Sequence, residues 1–228
     1  SASALQLDGA AAHADTSTTT DTTHAVDDIC LHADDAAEQL TLGLDVLAAQ
    51  GALDPDSPEV RAFVLAYLKD TTMHEVGHTL GLRHNFRASR WHSPTQLQDK
   101  ALTTREGNSA SVMDYAAVNL PPPGHTGGAP FQTTLGPYDL WAIEYGYGDL
   151  PESATEAERK LRDIARRSAD PKWAQALAYG SDEDEALGID PQALTFDLGN
   201  DPIAFARNRF ALAQDIIDRT SRRIPTPL

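Results

Sequence analysis

The sequence predicts a mostly α-helical chain, and three observations predict it. Apolar residues recur at helical spacing in several windows, capping residues mark helix starts and stops, and alternating strand patterns are scarce. Ala2–Leu7 is the best strand candidate, and it is short. The 228 residues fit one domain, at most two, and 41% apolar residues are enough for a core.

Taken in order, Asp34–Gln50 carries Leu40, Leu44 and Leu47 on one face, acids at its start and Gly51 beyond its end. Ser57-Pro58-Glu59 is a strong helix start: a capping hydroxyl, proline at the first helical position, then an acid favoured by the helix dipole. Val60, Phe63, Val64, Tyr67, Leu68 and Thr71 follow on one face. This helix is expected to run to about Leu80, where Gly81 can supply a left-handed stop. Residues Ser89–Ser111 are polar and read as irregular, and Leu120–Pro130 (LPPPGHTGGAP) as loop. Further helices are expected at Pro137–Gly146, Ala154–Arg167, Pro171–Tyr179 and Pro202–Arg219. Tyr138, Trp141, Tyr145 and Tyr147 read as core aromatics, Asp182–Glu185 as a solvated loop, and His92 and His125 as surface histidines.

The net charge is −16, and it is uneven. Residues 1–60 hold 12 acidic side chains and no Lys or Arg, so most of the excess precedes residue 61. Such a balance argues against nucleic acid, whose phosphates need clustered cations, and against anionic membrane surfaces. No apolar run approaches the roughly 18 residues of a spanning helix, so membrane insertion is not expected, and no targeting segment is visible. Residues 15–28 (DTSTTTDTTHAVDD) read as loop, and the acidic stretch 1–56 as a segment distinct from residues 57–228. A calcium site there is conceivable from its carboxylates, but no spacing matches an EF-hand loop. The single cysteine, Cys30, cannot form an internal disulfide.

The chemistry lies at the end of the long helix. Residues 74–84 read HEVGHTLGLRH. His74 and His78 are four apart, so on a helix they share a face and can share an ion. Imidazole nitrogen suits zinc. Glu75 points about 100° away around the helix, flanking the metal, which is the place for a general base acting on water. A turn at Gly81 lets His84 return as the third ligand. Three imidazoles leave one position open, the arrangement of a catalytic zinc site. With this composition the extended motif HExxHxxGxxH arises by chance in about 3 × 10⁻⁵ of such chains. One zinc per chain is expected, with weaker binding below about pH 6 as imidazoles protonate.

A second segment, Ser111-Val112-Met113-Asp114-Tyr115, follows His84. HEVGHTLGLRH followed by SVMDY resembles the metzincin clan of zinc endopeptidases. The resemblance implies an α+β zincin-like catalytic core and hydrolysis of a peptide or protein substrate. It makes Met113 the apolar floor of the site. It makes Tyr115 a candidate fifth metal ligand that can also stabilise an oxyanion. It also puts His125 near the wall of a specificity pocket. HEVGHTLGLRHNFRAS, SVMDY, LGPYDLWAIEYGYG and DLGNDPIAFARNR resemble more closely a group of large, exported bacterial zinc-dependent metalloproteases of unassigned substrate.

The chain departs from that pattern at its start. Metzincins carry a sheet ahead of the active helix whose edge pairs with substrate. Here 73 residues precede His74, and they read as loop and helix. The expected core is therefore mostly α, with the sheet truncated or absent, and Phe63, Val64 and Tyr67 need another partner: C-terminal helices or a second chain. Two other readings stay open: a zinc-holding but inactive binding or structural module, and a calcium-stabilised interaction domain centred on residues 1–60.

Overall fold

The computed structural model describes residues 37–49, 54 and 56–223. The strand candidate Ala2–Leu7 and the Thr/Asp-rich stretch 15–28 lie outside them. The described residues contain helix α1 over 37–49, α2 Pro58–Thr79, α3 Pro94–Leu97, α4 Lys100–Glu106, α5 Pro137–Tyr147, α6 Ala154–Arg166, α7 Asp182–Ala186 and α8 Pro202–Arg223. Short 3₁₀ turns occupy Ala88–Trp91 and Arg167–Ala169. There is no strand among the described residues, so the sheet of an α+β core is not seen in them.

Helix α2 organises the molecule. The Ser57 hydroxyl accepts the Val60 N–H at 3.2 Å, satisfying one of the unpaired donors of the first turn. At the other end Gly81 adopts φ 79°, which a side chain would resist. The Gly81 N–H reaches the His78 carbonyl at 2.9 Å and the Leu82 N–H reaches the Gly77 carbonyl at 3.1 Å. These two bonds are the Schellman closure, and they turn the chain back along the helix end.

One face of α2 is buried against several elements. Phe63 joins Val46 of α1, Val118, Leu120 and Phe131 of the following loops, and Leu212 of α8 in one core cluster. Phe131 meets Phe63 and Tyr67 edge-on, with ring centroids 5.0 and 5.6 Å apart. A Cβ on Gly43 would stand 2.3 Å from the Phe63 ring, so glycine there lets α1 close on α2. The partner expected for Phe63 and Tyr67 is thus α1, the 118–131 loops and the C-terminal helix. The opposite face leaves Leu65, Leu68 and Val76 about half exposed.

Several expectations from sequence need correction. Residues Ser89–Ser111 are not irregular: they hold a 3₁₀ turn and the short helices α3 and α4. Each is too short to display a hydrophobic period, and local caps define them instead. The Ser93 hydroxyl accepts from the Gln96 N–H, and the Asp99 carboxylate accepts from the N–H groups of Ala101 and Leu102. Pro171–Tyr179 forms turns rather than a helix. Its end is claimed by tertiary bonds: the Asn85 amide donates to the Ala178 carbonyl, and the Phe86 N–H to the Gly180 carbonyl. His92 is buried, with Nε2 3.1 Å from the Gly107 carbonyl, and burial lowers its pKa. His125 is exposed, as expected. Tyr138 stacks on Tyr179 and the Trp141 indole donates to the Ile164 carbonyl, but Tyr145 and Tyr147 are exposed. The Tyr147 hydroxyl donates to the Leu80 carbonyl at 2.8 Å, satisfying an end group of α2.

Candidate metal centre

The three histidines converge. One nitrogen from each of His74, His78 and His84 lies within 4.8 Å of the others. His74 and His78 project from the last turns of α2, and the Schellman closure brings His84 back to them. Their rings are 4.7 to 5.3 Å apart by centroid.

Each ring is held by an acceptor at Nδ1. His74 Nδ1 is 2.8 Å from the Val112 carbonyl, His78 Nδ1 3.0 Å from the Leu82 carbonyl, and His84 Nδ1 2.6 Å from an Asp182 carboxylate oxygen. Carbonyls and carboxylates only accept, so Nδ1 carries the proton in every case and donates. The lone pair is then on Nε2 of all three rings. This is the tautomer a metal needs, fixed before any metal arrives. The donor set of three neutral imidazoles fits zinc.

Asp182 corrects the reading of Asp182–Glu185 as a solvated loop. These residues open helix α7, and the Asp182 carboxylate is held well below the usual range, first by its hydrogen bond with His84. Ser181 Oγ donates to its other oxygen at 3.0 Å, and Arg83 bridges it to Glu183. A local signal did exist: the run Ser181-x-x-Asp184 is a helix-start signature, and the Asp184 carboxylate accepts the Ser181 N–H. Nothing local ties it to His84, 98 residues earlier.

The SVMDY segment sits against the metal-site helix. Met113 is completely buried, and a Cβ on Gly77 would stand 2.2 Å from its sulfur. Gly77, between the two helix histidines, is therefore what lets this thioether lie against the helix backbone. The turn is anchored by Asp139 of α5. That carboxylate accepts from Ser111 Oγ at 2.6 Å, the Val112 N–H at 3.0 Å and the Gly136 N–H at 2.8 Å. Burial nevertheless raises its pKa. Ser111 and Asp139 were not singled out from sequence; the Gly136-Pro137-x-Asp139 helix start is their only local trace.

Tyr115 is in the site. Its hydroxyl lies 2.8 Å from His84 Nε2, the atom with the lone pair, and so donates to it. Phe86 and Phe196 pack on its ring, at centroid distances of 5.1 and 5.8 Å. Phe196 has φ 56°, an uncommon conformation for an aromatic, and its N–H is bonded to the Tyr115 carbonyl. Glu75 is half-buried on α2 beside His74. An open cleft borders the histidines, lined by His78, Leu82, His84, Asp182, Ala186 and Leu187 among others.

Helix, returning histidine and buried methionine define the class: a zincin-type metal site carried on a helical scaffold. The chain belongs to the Met-zincin family, whose family model matches residues 56–226. Membership suggests a zinc-binding, metalloprotease-like domain acting on peptide substrates. No curated protein and no solved structure matches the chain. No helix among the described residues is long and apolar enough to cross a membrane.

Proposed function

We propose that this protein is a zinc-dependent endopeptidase, with His74, His78 and His84 holding one zinc and Glu75 as general base. The observation that carries the proposal is the convergence of three imidazoles, each held by an acceptor at Nδ1 so that Nε2 is the ligating atom, with His84 Nε2 exchanging its Tyr115 hydrogen bond for the metal. When bound, zinc would supply Lewis acidity, polarising the scissile carbonyl and acidifying the attacking water.

The protein's own residues do the rest. Glu75 takes the proton of the attacking water and hands it to the leaving amine. The Tyr115 hydroxyl, a donor already directed into the site, stabilises the oxyanion of the tetrahedral intermediate. Met113 and Gly77 fix the floor as a Met-turn, and Gly81 fixes the return of His84. Asp182 keeps the His84 ring in the ligating tautomer. We further infer a catalytic unit over residues 57–228, against which helix α1 of the acidic segment 1–56 packs. On motif resemblance alone we infer kinship with the exported bacterial metalloproteases of unassigned substrate.

The test is casein cleavage by the purified chain, with zinc measured by elemental analysis. Native protein should hold one zinc per chain and cleave, and a chelator should abolish cleavage. Glu75→Gln should keep the zinc and lose at least about 100-fold in turnover. Unchanged turnover in Glu75→Gln would sink the general-base role. Zinc bound with no cleavage by the native chain would instead identify an inactive zinc-holding module.

A further inference from the structure

Helix α8 presents two faces. One belongs to the core: Leu212 is buried, and Phe205 and Ile216 beside it are half-buried. The other carries large apolar side chains in solvent. Ile203 is 63% exposed, Phe210 78% and Ile217 57%. They stand seven residues apart, and Ala206, Ala213 and Thr220, three residues after each, are exposed as well. These six are the a and d positions of successive heptads, the pattern by which one helix packs along another. Scattered apolar residues on a surface need no explanation, but a stripe in register marks an interaction face.

The a positions are all large and the d positions all small: Ile203, Phe210 and Ile217 against Ala206, Ala213 and Thr220. That division selects both the occupant and its direction. Two antiparallel copies of a helix bring each a position opposite a d position of the other. With the symmetry axis between Ala211 and Leu212, Phe210 meets the partner's Ala213, Ile217 the partner's Ala206 and Ile203 the partner's Thr220. Every large side chain then fills the space over a small one, as a packed layer requires. Parallel copies would set Phe210 on Phe210 and leave the alanines facing across a gap. The charges agree. Arg207 and Asp218 are exposed on one flank of the stripe, about three helical turns apart. The antiparallel register brings Arg207 beside the partner's Asp218, twice by symmetry. The Gln214 amide already donates to the Asp218 carboxylate at 2.8 Å and orients it. Antiparallel helix dipoles favour the same arrangement.

We propose that this chain pairs with a second copy of itself through α8, as a symmetric antiparallel helix pair in which Phe210 of each copy packs on the partner's Ala213. The surface is self-complementary, the property a two-fold interface needs. At 1.5 Å per residue the seam from Ile203 to Thr220 is about 26 Å long. One helix pair buries less than the roughly 800 Å² per partner of a standard stable complex. The dimer is therefore weak, with a Kd of about 1–100 µM. No residue of α8 lines the cleft beside the histidines, so pairing and metal binding are tested separately.

Sedimentation equilibrium of the purified chain, from about 1 to 500 µM, should show monomer passing to dimer as concentration rises. Phe210→Asp should weaken the dimer at least about 100-fold while circular dichroism reports a native fold, because the residue it replaces lies on the surface. Disulfide trapping in a Cys30→Ser background reads the direction. Ala206→Cys mixed with Ile217→Cys should give the mixed dimer under oxidised glutathione, and Ala206→Cys alone should give none. Both substitutions leave Phe210 in place, so trapping carries the test if Phe210→Asp fails to fold. A native chain that stays monomeric throughout, a dimer untouched by Phe210→Asp, or Ala206→Cys trapping itself as readily as it traps Ile217→Cys would overturn the proposal.

Discussion

At the residue scale, the candidate metal site depends on groups that hold its histidines as much as on the histidines. Val112 and Leu82 offer backbone carbonyls, which no substitution removes, whereas Asp182 offers a side chain. Asp182→Asn can hold the imidazole only weakly and adds no charge to raise its basicity. Zinc affinity should fall by about 10- to 100-fold, read by competition with a chromophoric chelator. Undiminished affinity would refute the positioning role. Gly77 is the second such residue. An alanine Cβ would press on the Met113 sulfur from 2.2 Å, and Met113 is completely buried. Gly77→Ala should cost about 1–3 kcal/mol in urea unfolding, the usual range for overpacking. Combining it with Met113→Ala should cost less than the sum of the two changes, because the clash vanishes with its partner.

At the element scale, α2 is a platform defined at both ends by local chemistry. Ser57 starts it and Gly81 ends it, and the stop is what brings His84 home. A Cβ at Gly81 would meet nothing within 4 Å, so the cost of substitution there is conformational only. Gly81→Ala should therefore destabilise by about 1–2 kcal/mol, and Gly81→Asn by less, since asparagine tolerates the left-handed region. Equal melting of the alanine variant and native protein would show that the turn relaxes freely. Helix α7 is the opposite case. It is five residues long, and it matters because its first residue touches a histidine rather than because of its own stability.

At the scale of the whole molecule, buried carboxylates set the response to pH. Asp70 lies on α2 one turn before His74, and burial raises its pKa to about 7 although the Gln132 N–H bonds to it. The folded chain therefore keeps a proton on Asp70 between about pH 4 and 7 that the unfolded chain releases. The unfolded state binds fewer protons in that window, so stability falls as pH rises through it. Asp70→Asn keeps an acceptor for Gln132 and has no charge to bury. It should raise unfolding free energy at pH 8 by about 1–4 kcal/mol and change it little at pH 4. A gain of the same size at both pH values would contradict the assignment. Asp114 also has a raised pKa, from burial and then from nearby Asp197, so the same trend has more than one source.

The boundary between what was legible in the sequence and what was not follows sequence separation. HEVGHTLGLRH, its capping serine and its terminating glycine act within one helix and one turn, so the periodicity of the chain already contains them. The three converging histidines and the family were readable for that reason. Met113 and Tyr115 were readable only by resemblance, because their meaning depends on contacts with Gly77 and His84 more than 30 residues away. The contacts of Asp182 and Asp139 and the burial of His92 were not readable from the sequence. Each residue is polar, and in isolation each looks solvated. Only tertiary packing decides whether water or a protein group satisfies it, because hydrogen bonds to water and to a distant partner leave the same trace in the sequence.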